Sequence, residues 1–250
     1  MAEIIIGSEE WLSQVQEDIV DPERPIIDPH HHLWHNRESV YLVNELKADT
    51  GSGHNVEKTV YMECGWSYNQ DGPIHLKVVG ETEAVLRQVE ESKKTEGAVI
   101  SGIISRADLT LGEEVIEVLE AHQEASKGLF RGIRHAGARA EYPEVLSIPG
   151  QAPKGLFQDP NFITGIKVLG RNGFTYDTWH YYYQNRDFAE MVKRVPDTFI
   201  ILDHFGTPLG VGPYADKKEE IFVQWKQDIK EISESENVVM KIGGMAMPDN

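Results

Sequence analysis

The sequence predicts an α/β fold with the parallel (β/α)8, or TIM-barrel, architecture, and three observations predict it. Apolar strand-like runs alternate with stretches of helical periodicity from residue 26 onward, a pattern that implies βαβ units with strands buried on both faces. Glycine or polar residues close almost every run, and His, Arg and Glu collect there. That is the end at which such a barrel carries its active site. No glycine-rich phosphate loop follows the first strand, which counts against the rival doubly wound open sheet.

Residues 1–25 read as an entry segment, broken by Pro22 and Pro25. Residues 26–250 read as one barrel-like domain. Its first strand leads through Ile26 and Ile27 into Asp28-Pro29-His30-His31-His32-Leu33-Trp34. Asp49 to His54 is rich in Gly and Ser and is expected to be a loop. The second strand is expected over Val56–Trp66, with Thr59-Val60-Tyr61-Met62 leading into Glu63-Cys64-Gly65. A helix over Gly80–Lys94 and a third strand over Ala98–Ser105 follow. The spacing of Val115, Val118, Leu119 and His122 marks the next helix, stopped by Gly128.

Leu129–His135 is the fourth strand, and Ala136–Asp159, with three prolines, is a long irregular loop. So long a loop in a compact fold is usually a lid or binding loop. A short helix over Phe162–Leu169, a fifth strand over Phe174–His180 and a helix carrying Phe188, Met191, Val192 and Val195 come next. The sixth strand is expected over Thr198–His204. A long amphipathic helix through Ile221, Trp225 and Ile232 precedes the seventh, Val238–Ile242. The barrel is therefore incomplete in this sequence: seven strands are visible and no eighth, and the expectation is a domain truncated at its C-terminus.

Composition narrows the function classes. The chain has 250 residues, 40% of them hydrophobic, and a formal charge of −17. That size is ample for one sizeable core, and the charge argues against binding nucleic acid through its phosphates. A homo-oligomer is compatible with such a surface. No apolar run is long enough to cross a bilayer. Met1–Glu10 lacks the basic and apolar regions of a secretory signal. A single cysteine, Cys64, fits a reducing, cytoplasmic compartment. At a strand end it is expected to be a buried, inert thiol.

The chemistry is expected at the strand ends. Alternate residues of a strand share a face, so Asp28, His30 and His32 point one way and His31 the other. Two imidazoles on one face chelate a cation or work as a proton-transfer pair. His204 supplies a further imidazole, and Asp203 beside it is expected to face the helix layer. His180 is open to three readings: ligand, substrate contact or surface residue. Arg134 either aims a guanidinium at a substrate carboxylate or carbonyl or pairs with one of the many acids. Glu63 reads as a ligand, a base or a residue orienting a histidine. Trp34, Trp66 and Trp179 wall a pocket or pack the core, and Tyr182 joins Trp34 as a candidate substrate contact.

These stretches resemble a known family. Asp28-Pro29-His30-His31-His32-Leu33-Trp34 resembles the D-x-H-x-H-x-W opening of the amidohydrolase superfamily, in its amidohydrolase-2 branch, which includes sugar lactonases and pyrone-dicarboxylate lactonases. Phe130–His135, Gly173–Trp179, Leu202–Pro208 and Val239–Gly244 resemble the fourth to seventh strands of that branch. The resemblance spans nearly the whole chain. It implies a hydrolase opening a lactone or similar cyclic ester with an activated water, taking a small-molecule substrate and neither nucleic acid nor membrane. By the likeness His30, His32 and His204 hold a divalent metal, zinc or manganese, although metal-independent catalysis also occurs in the branch. Arg134, His204 and His180 are the implied catalytic residues. An amidohydrolase-2-type decarboxylase of an aromatic or enol acid and a non-catalytic binding barrel are the alternatives. Two departures stand out. Tyr181-Tyr182-Tyr183-Gln184 lacks the His that members often carry before the Gln, leaving His180 as the candidate there. The Asp that the superfamily's eighth strand supplies as general base has no counterpart before Asn250.

Overall fold

Seven strands lie side by side in the order in which the chain makes them. The computed structural model describes residues 8–35, 39–244 and 247–249, so residues 1–7 of the expected entry segment lie outside the described residues. A single helical turn, α1 (Glu9–Leu12), comes first. The elements β1 (Ile26–His31), β2 (Trp34–His35), β3 (Val40–Tyr41), α2 (Val43–Thr50), β4 (Val56–Met62), α3 (Val79–Ser92) and β5 (Val99–Arg106) follow. Then come α4 (Val115–Ala125), β6 (Phe130–Arg134), α5 (Pro160–Arg171), β7 (Thr175–Thr178), α6 (Asn185–Lys193), β8 (Ile200–Leu202), α7 (Lys218–Ile232) and β9 (Val238–Met240). The main sheet runs β1-β4-β5-β6-β7-β8-β9, every neighbouring pair parallel, and curls into an incomplete barrel. β2 and β3 form a small antiparallel pair of their own.

Alternation along each strand sorts side chains between two layers. Tyr61 of β4 packs with Val85 and Val89 of α3. Ile200 and Leu202 of β8 join the main core with Phe188, Met191 and Val192 of α6. The opposite parity, Val60, Ile104, Thr175, Ile201 and Val239, lines an inner cavity of about 420 Å³ whose upper wall includes Asp177 and Lys241. The same parity corrects one expectation. Asp203 does not face the helices: Leu202 takes that position, and Asp203 points inward.

Local chemistry explains the other differences. The helix predicted from Phe162 begins two residues earlier, because Asp159 caps it, accepting from the amides of Asn161 at 2.7 Å and Phe162 at 3.1 Å, with Pro160 in the first turn. Asp49 and Thr50, expected in a loop, are the last turn of α2, whose Glu45 reaches back to the Leu42 amide at 2.8 Å. Cys64 is exposed rather than buried, since the strand ends at Met62; its thiol donates to the Leu33 carbonyl at 3.2 Å. Among the described residues no helix is long and apolar enough to cross a membrane. The two outer strands leave apolar side chains in the open, Ile27 on β1 and Val239 on β9, with Ile242 just beyond β9.

Candidate active site

The carboxyl ends of six strands meet at one rim. His30 lies on β1, and Glu63, Asp203 and Lys241 directly follow β4, β8 and β9, or stand one residue beyond; Arg134 ends β6 and Asp177 is the third residue of β7. Hydrogen bonds fix the two imidazoles of β1. His32 Nδ1 lies 2.8 Å from the Met62 carbonyl oxygen; a carbonyl only accepts, so Nδ1 carries the proton and Nε2 keeps its lone pair. That nitrogen is 3.2 Å from His30 Nε2. Lys241 Nζ sits 3.3 Å from His30 Nδ1, and an ammonium only donates, so His30 carries its own proton on Nε2, aimed at His32.

His204 comes to the same place from β8. Its ring centroid is 4.7 Å from that of His30. The backbone that delivers it is left-handed for four residues running: His204 (φ 53°), Phe205 (57°), Gly206 (62°) and Thr207 (36°). Three of these are not glycine, a conformation that persists only when surrounding structure holds it. Trp225 Nε1 donates to the Phe205 carbonyl at 2.6 Å, and Trp179 Nε1 to the Thr207 hydroxyl at 2.9 Å. Gly244 (φ 76°) approaches so closely that a Cβ there would stand 2.6 Å from His204 Cγ.

A charged network backs the histidines. Lys241 Nζ pairs with Asp177 Oδ1 at 2.9 Å and Asp203 Oδ1 at 3.1 Å. Arg134 donates from Nε to Glu63 Oε1 at 2.7 Å and from Nη2 to the Glu63 carbonyl at 2.5 Å, and its Nη1 lies 3.8 Å from Asp203 Oδ2. Burial pushes the Asp177 carboxyl up to about 6 against the pull of Lys241. Burial opposes ionisation of Asp203 too, but His30 and the ammonium of Lys241 outweigh it and hold that carboxyl well below the usual range. Burial, then neighbouring charge, lowers the imidazoles: His30 downward, His32 to about 3, His204 to about 4. The neutral imidazole these environments favour is the form that ligates a metal or accepts a proton.

The structure brings together His30, His32, His204, Arg134 and Glu63, and leaves other candidates elsewhere. His180 is fully buried, bonded through Nε2 to Asn185 Oδ1 at 3.0 Å and flanked by Phe157 and Phe188. Tyr182 belongs to an aromatic cluster with Tyr183 and Tyr214. Trp34 stacks on Tyr41 in the β2–β3 pair, 4.9 Å between centroids, and donates to the Ser39 hydroxyl. His31 faces away from His30 and meets Tyr61 edge-on.

Two members of the network, Asp177 and Lys241, are not among the sequence candidates. Parity was their one available signal: Asp177 is two residues beyond inward-facing Thr175, and Lys241 two beyond inward-facing Val239. Glu81 is a further contributor. Its Oε1 accepts from the amides of Cys64, Gly65 and Trp66 and from the Tyr61 hydroxyl at 2.7 Å, shaping the loop that follows Glu63.

The β1 pair fits half of a cation's shell. Two nitrogens bound at about 2.0–2.1 Å to a tetrahedral zinc stand about 3.3 Å apart, close to the 3.2 Å between the two Nε2 atoms. Among the described residues no group of three His, Cys, Asp or Glu side chains is arranged around a single point.

No protein-family model matches the chain. It is 27% identical over 252 residues to the uncharacterized protein y4mH of Sinorhizobium fredii, covering 89% of this chain and 73% of that protein. It is 20% identical over 220 residues to the L-fucono-1,5-lactonase of Burkholderia multivorans, covering 88% and 68%. Among solved structures it resembles a zinc-bound amidohydrolase from Burkholderia multivorans (TM-score 0.65, 18% identity, 88% of this chain and 69% of that one). It also resembles a putative 2-pyrone-4,6-dicarboxylic acid hydrolase from Pseudomonas putida (TM-score 0.50, 11% identity, 89% and 83%). The fold is that of these amidohydrolase barrels.

Proposed function

We propose that this chain is an amidohydrolase-type hydrolase that opens a lactone or similar cyclic ester with an activated water. The observation that carries the reading is the approach of His204 to His30, 174 residues away in sequence and itself bonded to His32, at the carboxyl rim of a parallel sheet. Kinship with the L-fucono-1,5-lactonase and the zinc-bound amidohydrolase supports it.

In this reading the lactone carbonyl sits over the histidines. His30 Nε2–H donates to the carbonyl oxygen and to the oxyanion that develops on it. The neutral imidazole of His204 takes a proton from the attacking water. The water oxygen bonds to the carbonyl carbon, the ring C–O bond breaks, and the proton passes to the leaving oxygen. Lys241, donating to Nδ1, holds His30 in the tautomer this needs, and Arg134, anchored by Glu63, lies beside Asp203. A divalent cation would need His30 in its other tautomer, with the proton on Nδ1 toward Asp203; held by His30 and His32 it would supply the polarisation of the carbonyl in place of the His30 N–H.

A panel of sugar and pyrone lactones, assayed with and without zinc or manganese, tests the reading. Hydrolysis of at least one member, lost in His204→Asn, is expected. Turnover of none would overturn it, and release of carbon dioxide from an aromatic or enol acid would replace it with the decarboxylase reading.

A further inference from the structure

The imidazole of His204 is backed by the chain that leaves β9. Gly244 comes so close that a Cβ there would stand 2.6 Å from His204 Cγ and 2.7 Å from Nδ1. His204 and the three residues after it are left-handed, a shape that lasts only under outside constraint. Trp225 and Trp179 restrain Phe205 and Thr207. The ring itself is met by Gly244 on one side and by His30, 4.7 Å away between centroids, on another. The position of Gly244 therefore sets the position of the ring.

Asp249 is tied to Gly244 by a short path. The Met247 amide donates to the Gly244 carbonyl at 3.1 Å, closing a turn, and Pro248 stiffens the next step of the chain. Asp249 then meets two other rim loops at once. Its carboxylate accepts from the Ser147 amide, 2.8 Å to Oδ1 and 3.1 Å to Oδ2, and from the Ile148 amide, 3.4 Å to Oδ2. Its main-chain carbonyl accepts from the Gly210 amide at 2.9 Å. Ser147 and Ile148 lie in the long loop after β6, and Gly210 lies in the loop that His204 begins. The long loop is itself fixed at that point. The Tyr181 hydroxyl donates to the Ile148 carbonyl at 3.1 Å and accepts from the Gly150 amide at 2.8 Å. The Asp249 carboxylate is buried, with the residue 3% exposed, and amides rather than cations satisfy it. Desolvating a carboxylate is costly, and neutral amides offset that only in part. What the carboxylate adds is direction: its bonds allow one placement of the chain.

We propose that Asp249 is a positioning residue for His204: it clamps the chain leaving β9 between the loops at 147–148 and 210, so that Gly244 holds the imidazole beside His30. The proposal rests on the hydrolase reading for the task of that imidazole, but the clamp stands on the hydrogen bonds just given. Asp249 touches no reacting atom in this account; it acts through Gly244.

The test has a spectroscopic arm and a kinetic arm. The wild type, Asp249→Ala and Asp249→Asn are labelled with 13C at histidine Cε1, and the His204 signal is assigned by its loss in His204→Asn. In the wild type a nuclear Overhauser contact joins the His204 and His30 rings. In Asp249→Ala the His204 signal moves and that contact is lost, while the signals of His122 and His180, both buried in the core, hold their positions. Asp249→Asn keeps one acceptor oxygen and retains the contact. A contact that persists in Asp249→Ala overturns the proposal. In the kinetic arm, kcat for a hydrolysed lactone falls at least tenfold in Asp249→Ala with KM within threefold, and Asp249→Asn restores most of it. An unchanged kcat overturns the proposal as well. Failure to hydrolyse any lactone overturns the hydrolase reading alone, because the ring-to-ring contact still decides for or against the clamp. Should Asp249→Ala not fold, Asp249→Leu, of similar shape and without an acceptor, gives the same readings.

Discussion

Lys241 Nζ and His30 Nδ1 lie 3.3 Å apart although 211 residues separate them and their strands, β9 and β1, are the two ends of the sheet order. The outer strands share no ladder, yet their tips are joined by a side-chain contact. One ammonium thus serves Asp177, Asp203 and a histidine at once.

Removing that ammonium strands two buried carboxylates. Lys241→Met is expected to destabilise the fold by about 3–5 kcal/mol, the range for breaking a buried ion pair from one side. The abandoned acids find relief by taking up protons, so the deficit shrinks as pH falls from 8 to 5. Urea unfolding at the two pH values checks this; equal deficits would contradict it.

Gly244→Ala is expected to harm the site more than the fold. The added methyl would stand 2.6 Å from His204 Cγ on a residue at φ 76°. The backbone strain costs about 1–2 kcal/mol, whereas displacement of the His204 ring removes it from His30. Lactone turnover falls at least tenfold while thermal unfolding stays cooperative. A variant with full turnover would refute the placement of His204 in the reaction.

Zinc uptake is expected to depend on the β1 pair. His32→Gln removes one of two nitrogens 3.2 Å apart, and the affinity for zinc, followed by competition with a chromogenic chelator, drops at least tenfold. His180→Gln, whose imidazole is bonded to Asn185 among phenylalanines, leaves that affinity within threefold. The reverse order would move the cation to the fifth strand.

Acid is expected to unfold the protein through histidines remote from the site. Burial depresses His122 to about 4, and it is fixed between Thr82 and the Arg106 carbonyl at 2.8 and 2.9 Å. Above pH 6.5 both folded and unfolded states are neutral and nothing is lost. As pH falls from 6.5 toward 4 the unfolded chain binds a proton that the folded one refuses, and stability drops by about 3 kcal/mol. The slope of unfolding free energy against pH between 6 and 4.5 should fall by about one proton in His122→Gln.

The alternation of runs made all seven sheet strands readable in order, because parallel strands buried on both faces must be apolar throughout. The same property hid which way each side chain points. In Ile200-Ile201-Leu202 every residue is apolar, so nothing in the letters marks Ile201 as inward, and Asp203, two residues on, reads from sequence as facing the helix layer. Lys241, after Val238-Val239-Met240, is illegible for the same reason. His30 and His32 were legible because polar residues on β1 interrupt the apolar run. His180 misled because a histidine beside aromatic residues looks the same in sequence whether it closes a pocket or fills a core. The helix α2 was missed because its mean polarity is high and its packing rests on Val43 and Leu46.

Glu81 carries a consequence for anyone redesigning selectivity. A single carboxylate oxygen on α3 gathers three successive amides of the segment 64–66, so the contour of that lip is dictated from a helix rather than by its own residues. Grafting new letters into 64–66 would change what the lip displays while leaving its path intact, provided position 81 stays acidic. Altering position 81 would reshape the lip without touching it.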